Sequence, residues 1–178
     1  MLDRLTELIE RCKDNDRSAQ KEIFELFAAK MMAVCMRYSS NREDAQDMLQ
    51  EGFIKVFSKI GSFKGDSGLA TWMTRIFINT SLSEYRKAHL KYRHEEFDGD
   101  KHDEPEDESP DLDEPREPGE VMKAIQSLPE IYRIIINLYA IDGLSHLQIA
   151  NELGISEGTS KSRLSRGRQM LKDILNKK

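Results

Sequence analysis

The side chains best suited to recognising another molecule lie near the end of the chain. Lys161, Ser162, Arg163, Ser165 and Arg166 place three cations and two hydroxyls within six residues. Such a set can pair with phosphate and hydrogen-bond to base edges. At about 100° per residue, Ser162, Ser165 and Arg166 project from one side of a helix, flanked by Lys161 and Arg163. Leu164, Leu171 and Leu175 share another face, which must be buried. Upstream, Ser145 suits a helix cap, and Leu147, Ile149, Ala150 and Leu153 supply the apolar positions of a short helix. Gly154 suits the left-handed residue that ends it, Ile155 fills the gap, and Ser156 caps the next helix. The pattern predicts two helices around a tight turn, the second shaped for a major groove. A basic, merely solvated helix is the competing reading.

A second set of candidates lies in the first half. The glycines and small polar residues of Phe63-Lys64-Gly65-Asp66-Ser67-Gly68 predict a loop. The helix expected from about 69 to 88 carries Trp72, Arg75, Asn79 and Arg86 in one narrow sector, with Lys87 close by. Met73, Ile76 and Thr80 fall on the inward stripe. A lone tryptophan on a helix is usually core. One edged by Arg, Asn and Lys can also stack an unpaired base and hold its phosphate, at about 1–3 kcal/mol per base.

The helix expected over roughly 42–60 buries Ala45, Met48, Leu49, Phe53, Val56 and Ile60. Opposite them Asp44, Asp47 and Glu51 line up, with Gln50 beside them and Ile54 set in the polar surface. A solvated acidic face explains the carboxylates alone. The apolar Ile54 among them favours a docking face for a basic partner helix.

Elements that position these sets follow from the remaining pattern. Leu2, Leu5, Leu8, Ile9 and Cys12 predict an amphipathic first helix. Asp16 or Ser18 can cap a second through about Tyr38, with Ile23, Phe24, Leu26, Phe27, Met31, Val34 and Cys35 inside. After Pro129 the β-branched run Ile131, Ile134, Ile135, Ile136, Leu138 and Ile141 predicts a core helix ended by Gly143, the support of the reader helix.

The net charge of −5 over 178 residues is unevenly spread. Residues 95–120 hold 14 acids and 2 bases, residues 1–94 carry +3, and residues 121–178 carry +4. Two basic modules flank an acidic segment, which has four of the five prolines and little apolar surface to offset its ordering entropy. It reads as a flexible linker, able to span at most about 3.3–3.6 Å per residue. Its charge is expected to compete with DNA for the modules at low salt. The expectation is therefore an all-α chain of two small helical domains, 1–94 and 121–178, joined by the linker 95–120.

Cys12 and Cys35 form no CxxC pair and lie on apolar helix faces, so neither a disulfide nor a zinc site is expected. No signal peptide, membrane-length apolar run or lipidation motif stands out, which predicts a cytoplasmic protein without membrane insertion. Glu95, Glu96, Asp98 and His102 could mimic an acid/base or metal cluster. They fall in the linker, with nothing to position them, so no catalytic residue, metal or cofactor is expected.

Taken in order, these motifs resemble a known family. Asp44-Ala45-Gln46-Asp47-Met48-Leu49-Gln50-Glu51-Gly52-Phe53, Phe63-Lys64-Gly65 and Thr71-Trp72-Met73-Thr74-Arg75-Ile76-Phe77-Ile78-Asn79 are similar to region 2 of bacterial sigma factors. Leu128-Pro129-Glu130 and the helix-turn-helix ending Gly158-Thr159-Ser160-Lys161-Ser162-Arg163-Leu164-Ser165-Arg166-Gly167-Arg168 resemble region 4. With only these two regions, the chain resembles the extracytoplasmic-function group of the sigma-70 family.

The resemblance implies a non-catalytic specificity subunit of RNA polymerase that directs promoter recognition, −10 melting and transcription initiation. Asp44, Asp47, Gln50, Glu51 and Ile54 would dock on core polymerase, whose largest and second-largest subunits are the implied partners. Phe63, Lys64, Ser67, Trp72, Arg75, Asn79, Arg86 and Lys87 would hold the single-stranded −10 element. Lys161, Ser162, Arg163, Ser165 and Arg166 would read the −35 duplex. An anti-sigma factor is a further implied partner. The sequence departs from the family at Ser160, where an apolar residue, commonly Val, is usual, so looser packing of the reader helix is expected. At Gly167 an Ala is usual, and glycine costs about 1 kcal/mol of helix propensity. The rival is a two-domain regulator that binds duplex operator as a symmetric dimer, without polymerase.

Overall fold

The computed structural model describes residues 2–90 and 117–176, with side chains for 4–87 and 117–176. Among the described residues every regular element is helical. They are α1 (Leu2–Lys13), α2 (Arg17–Tyr38), α3 (Arg42–Lys59), α4 (Leu69–Leu90), α5 (Pro118–Ser127), α6 (Glu130–Ile136), α7 (His146–Leu153) and α8 (Glu157–Asn176). A 3-10 turn, Ile60–Ser62, follows α3, and a π-helical turn, Asn137–Ile141, follows α6. The expected all-α fold of two small helical domains is found. The chain divides into two compact units, Met1–Ser81 and Leu82–Lys178. Most of the acidic segment expected over 95–120, with its Glu95, Glu96, Asp98 and His102, lies outside the described residues. Pro118–Glu120, assigned to that segment from composition, instead open α5.

In the first unit, α1 reverses into α2 through Asn15, at φ 60°, and Asp16. Of the two expected caps it is Asp16 that serves, its Oδ1 accepting from the amides of Ser18 at 2.8 Å and Ala19 at 3.3 Å. Arg11 Nε donates to the other carboxylate oxygen at 2.8 Å. That bond, with the two amides, holds the Asp16 carboxyl below the usual carboxylate range. Phe53 on α3 meets Phe77 on α4 edge-on, with centroids 5.5 Å apart. The helices approach this closely because Gly52 lacks a side chain: a Cβ there would lie 2.1 Å from the Phe77 ring. Cys12 and Cys35 are buried as expected, and burial pushes the Cys35 thiol up to about 12.

Two residues expected inside α2 are not. Leu26 is 60% exposed and Phe24 40% exposed. The buried stripe runs through Ile23, Met31, Val34 and Cys35, and Leu26 falls well to one side of it at helical spacing. Phe24 keeps one ring contact, 4.7 Å from the Phe53 centroid.

The second unit is organised by buried polar groups. Arg133 is only 3% exposed. Its Nη1 donates to the carbonyls of Gln126 at 2.9 Å and Leu128 at 3.1 Å, satisfying acceptors left open where α5 ends. After Ile136 the helix widens by one residue, shown by the Asp142 amide donating to the Asn137 carbonyl at 2.9 Å. The extra residue turns Ile141 out of the core, so it is 48% exposed rather than buried as expected. Leu147 is also exposed, at 60%, because it lies across α7 from the buried Ile149, Ala150 and Leu153. Gly167 lets α8 lie close on α6: a Cβ there would stand 3.1 Å from Ile136 Cδ1 and 3.2 Å from Tyr132 Cβ. The glycine that propensity alone disfavours thus sits where an added Cβ would be crowded.

Candidate nucleic-acid and protein interfaces

Asn41 begins α3. Its side-chain oxygen accepts from the Asp44 amide at 2.8 Å while its Nδ2 donates to Asp44 Oδ2 at 2.9 Å. The carboxylates of the first turn also complement the helix dipole. Asp44, Asp47, Gln50 and Glu51 are all exposed along one side of α3. Ile54 continues the stripe and is 64% exposed. Glu51 is steadied by Lys55 at 3.2 Å. This face is acidic and ordered, with an exposed apolar residue at its C-terminal end, a composition that suits docking.

The loop before α4 turns at Gly65, whose φ of 81° suits glycine. It brings Phe63 against Trp72, with ring centroids 5.3 Å apart and planes at 59°. Both rings are half-buried, while Lys64, Arg75 and Asn79 are exposed and Ser67 is intermediate. Trp72, Arg75 and Asn79 follow one another on one side of α4. The structure therefore joins the loop and helix candidates into one aromatic, basic surface suited to stacking. Arg86, further along α4, is engaged within the second unit, where its Nη1 donates to the Glu152 carbonyl at 3.1 Å. Lys87 pairs with Glu84 at 2.8 Å.

In the second unit Ser145 and Gln148 form a capping box at the start of α7. Gly154, at φ 67°, ends α7 and turns the chain into α8. Ser156 Oγ accepts from the Thr159 amide at 3.0 Å and so caps α8. Leu164 and Leu175 are buried, and Leu171 is partly so. Arg166 and Lys161 are exposed, and Ser162, Arg163 and Ser165 are half-buried. Lys161 is paired with Glu157 at 3.1 Å, and the Ser162 hydroxyl donates to the Thr159 carbonyl at 3.1 Å. Ser160 is fully buried, and its hydroxyl meets His146 Nδ1 at 3.0 Å, a polar contact at the position where looser packing of the helix was expected. Among the described residues no cluster of His, Cys, Asp and Glu could hold a metal ion, and no helix is long and apolar enough to cross a membrane.

Comparison with known proteins agrees with this arrangement. Residues 23–90 match sigma-70 region 2, and residues 119–171 match sigma-70 region 4. The RNA polymerase sigma-H factor of Pseudomonas aeruginosa is 33% identical, over 95% of this chain and 92% of that protein. The ECF RNA polymerase sigma factor SigW of Bacillus subtilis is 31% identical, over 94% of each. A solved Bartonella quintana sigma factor, RpoE in complex with the anti-sigma factor NepR, is similar at 28% identity and a TM-score of 0.51. That match covers 88% of this chain and 96% of that one. The chain belongs to the extracytoplasmic-function group of the sigma-70 family. It is an RNA polymerase sigma factor, and the reading as a regulator independent of polymerase is set aside.

Sequence reasoning missed several residues on which this sigma factor's surfaces depend. Gly52 and Phe77 set the spacing of the helices that carry the α3 and α4 faces. Tyr139 and His146 meet α8 at Arg168 and Ser160, and Arg133 ties α6 to the end of α5. A basic or aromatic residue on an apolar stripe was the available signal. It is weak, because such residues more often lie at a surface.

Proposed function

We propose that this sigma factor divides promoter recognition between the surface carried by α3, α4 and their connecting loop and the helix-turn-helix of α7 and α8. Asp44, Asp47, Gln50, Glu51 and Ile54 dock on core polymerase. Phe63 and Trp72 stack bases of the opened −10 strand, with Lys64, Ser67, Arg75, Asn79, Arg86 and Lys87 holding its backbone. Lys161, Ser162, Arg163, Ser165 and Arg166 read the −35 duplex. The protein acts in the cytoplasm without chemistry of its own, and an anti-sigma factor restrains it, as the Bartonella complex suggests by analogy. The observation that carries the reading is the Phe63–Trp72 pair beside exposed Arg75 and Asn79, in a chain whose other unit holds a helix-turn-helix. Aromatic faces suit unpaired bases, whereas a polar helix suits a closed groove.

The test is reconstituted initiation with core polymerase. Asp47→Lys with Glu51→Lys should weaken holoenzyme assembly by roughly a hundredfold, the loss expected for a central contact. Trp72→Ala should leave assembly intact and reduce open-complex formation. Normal assembly by the double reversal would remove the docking assignment.

A further inference from the structure

Four residues outside the reading face join around the base of α8. Ser160 meets His146 Nδ1 at 3.0 Å, and either atom can be the donor. The His146 ring stacks on Tyr139, with centroids 4.6 Å apart and planes at 23°. The guanidinium of Arg168 lies 5.4 Å from the centre of the same tyrosine ring. The ring of contacts thus leaves α8 at Ser160, crosses His146 and Tyr139, and returns to α8 at Arg168.

The two anchor points on α8 are eight residues apart. On a regular helix that places them about 12 Å apart along the axis and about 80° apart around it. Ser160 lies within the buried stripe, between Gly167 and Leu164 at helical spacing, and Arg168 lies to one side of it. Burial of Leu164 by itself does little to fix the rotation, since apolar attraction is non-directional. A hydrogen bond from within the stripe and a cation–aromatic contact at its side are directional, and together they oppose rolling of the helix. Rolling α8 by about 20° would displace side chains roughly 5–6 Å from its axis by about 2 Å, enough to break a hydrogen bond to a base. Tyr139 reaches this position from the π-helical turn Asn137–Ile141, whose extra residue changes the direction in which it points.

We infer that Tyr139, His146, Ser160 and Arg168 are positioning residues: they set the rotation of α8, and through it the base preference of the reader face. This rests on the reading of α8 as the duplex-binding helix. None of the four is assigned a base contact.

The test uses the full chain bound to core polymerase. The probe is a duplex pool randomised at the −35 positions, from which the native complex selects its preferred sequence. The readout is the ratio of affinities for the selected and a scrambled duplex. Ser160→Val alone and His146→Ala alone should each lower this ratio roughly tenfold, about the discrimination carried by one good base contact. His146→Leu combined with Ser160→Val, which replaces both polar partners, should restore preference for one sequence, since no polar atom is then left unpaired. Tyr139→Phe should keep the ratio and Tyr139→Leu should lower it.

Single variants that leave the ratio within twofold of native would overturn the inference. So would a double variant as indiscriminate as the singles, or equal losses on both duplexes accompanied by lost helicity. Arg166→Ala separates the two levels of the argument. If it lowers the ratio while the four positioning variants do not, the positioning role alone fails. If neither class moves the ratio, the reading of α8 fails and takes this inference with it.

Discussion

The two units solve the same problem, holding a recognition surface rigid, with different interiors. The first is packed by rings and aliphatic chains: Phe53 against Phe77, closed over Gly52. Its buried polar residues are the small hydroxyl side chains Ser39, Thr80 and Ser81. The second buries Arg133, Asn137 and Ser160 among its isoleucines and leucines. Directional bonds suit a unit that must present one helix at one angle, because apolar burial stabilises many angles about equally. A surface that stacks bases tolerates more latitude, since every base offers a flat face. Interior chemistry therefore matches the kind of reading proposed for each unit.

The sharpest way to break that comparison is to attack each interior by its own logic. Phe77→Ala removes the ring that fills the space above Gly52, and should destabilise the first unit by about 3–5 kcal/mol. The lone tryptophan, Trp72, lies in that unit, so denaturation followed by its fluorescence isolates the effect. Arg133→Met should destabilise the second unit by about 2–3 kcal/mol, the value of hydrogen bonds made by a charged group. That loss should show in helicity by circular dichroism, with the Trp72 transition unmoved. A matching shift in both signals would mean that the units do not unfold separately.

How far the sequence reveals the fold depends on the same contrast. The apolar stripes of α3 and α8 and the caps at Asp16, Ser145 and Ser156 are readable because they obey local rules of period and capping. So is the face Asp44, Asp47, Glu51 and Ile54, since helical spacing alone aligns it. Arg133 is not readable. Its burial depends on carbonyls five and seven residues back, freed only where α5 stops. The π-helical turn is equally silent, and missing it misplaces Ile141. The pairing of Phe63 with Trp72 needs the path of a loop, which the glycines announce without specifying. Leu26 shows the opposite error, in which hydrophobic identity is taken for burial.

Gly167→Ala gives a finer comparison, because here local preference and packing oppose one another. Alanine would gain about 1 kcal/mol of helix propensity. Its methyl would press on Ile136 Cδ1, the mobile end of a side chain, and on Tyr132 Cβ, which moves only with the backbone. Overpacking of this kind costs about 1–3 kcal/mol, so a net loss near 1 kcal/mol is expected in thermal unfolding of the second unit. A gain would show that α6 and α8 can separate without cost, and would weaken the case for a tightly seated reader helix.

The smallest effect separates the units by acid. In the first, α2 is capped by an ionisable group, Asp16, whose carboxyl is held low first by the Arg11 hydrogen bond and then by the amides of Ala19 and Ser18. In the second, α7 and α8 are capped by Ser145 and Ser156, which do not titrate. A depressed carboxylate pKa stabilises the fold fully above the unfolded value of about 3.9, and that contribution disappears as pH falls through the lower folded value. Asp16→Asn keeps a side-chain oxygen for the cap and loses the charge that answers Arg11. Native and variant first units should therefore differ in stability at neutral pH, and the difference should begin to shrink near pH 4 and vanish only below the lower folded value, as followed by Trp72 fluorescence. Ser145→Ala should instead cost about 1 kcal/mol in the second unit by the same amount at either pH, because a hydroxyl cap has no proton to gain. If the Asp16 difference persisted unchanged in acid, the cap would be acting through geometry alone, and the Arg11 charge would contribute nothing to it.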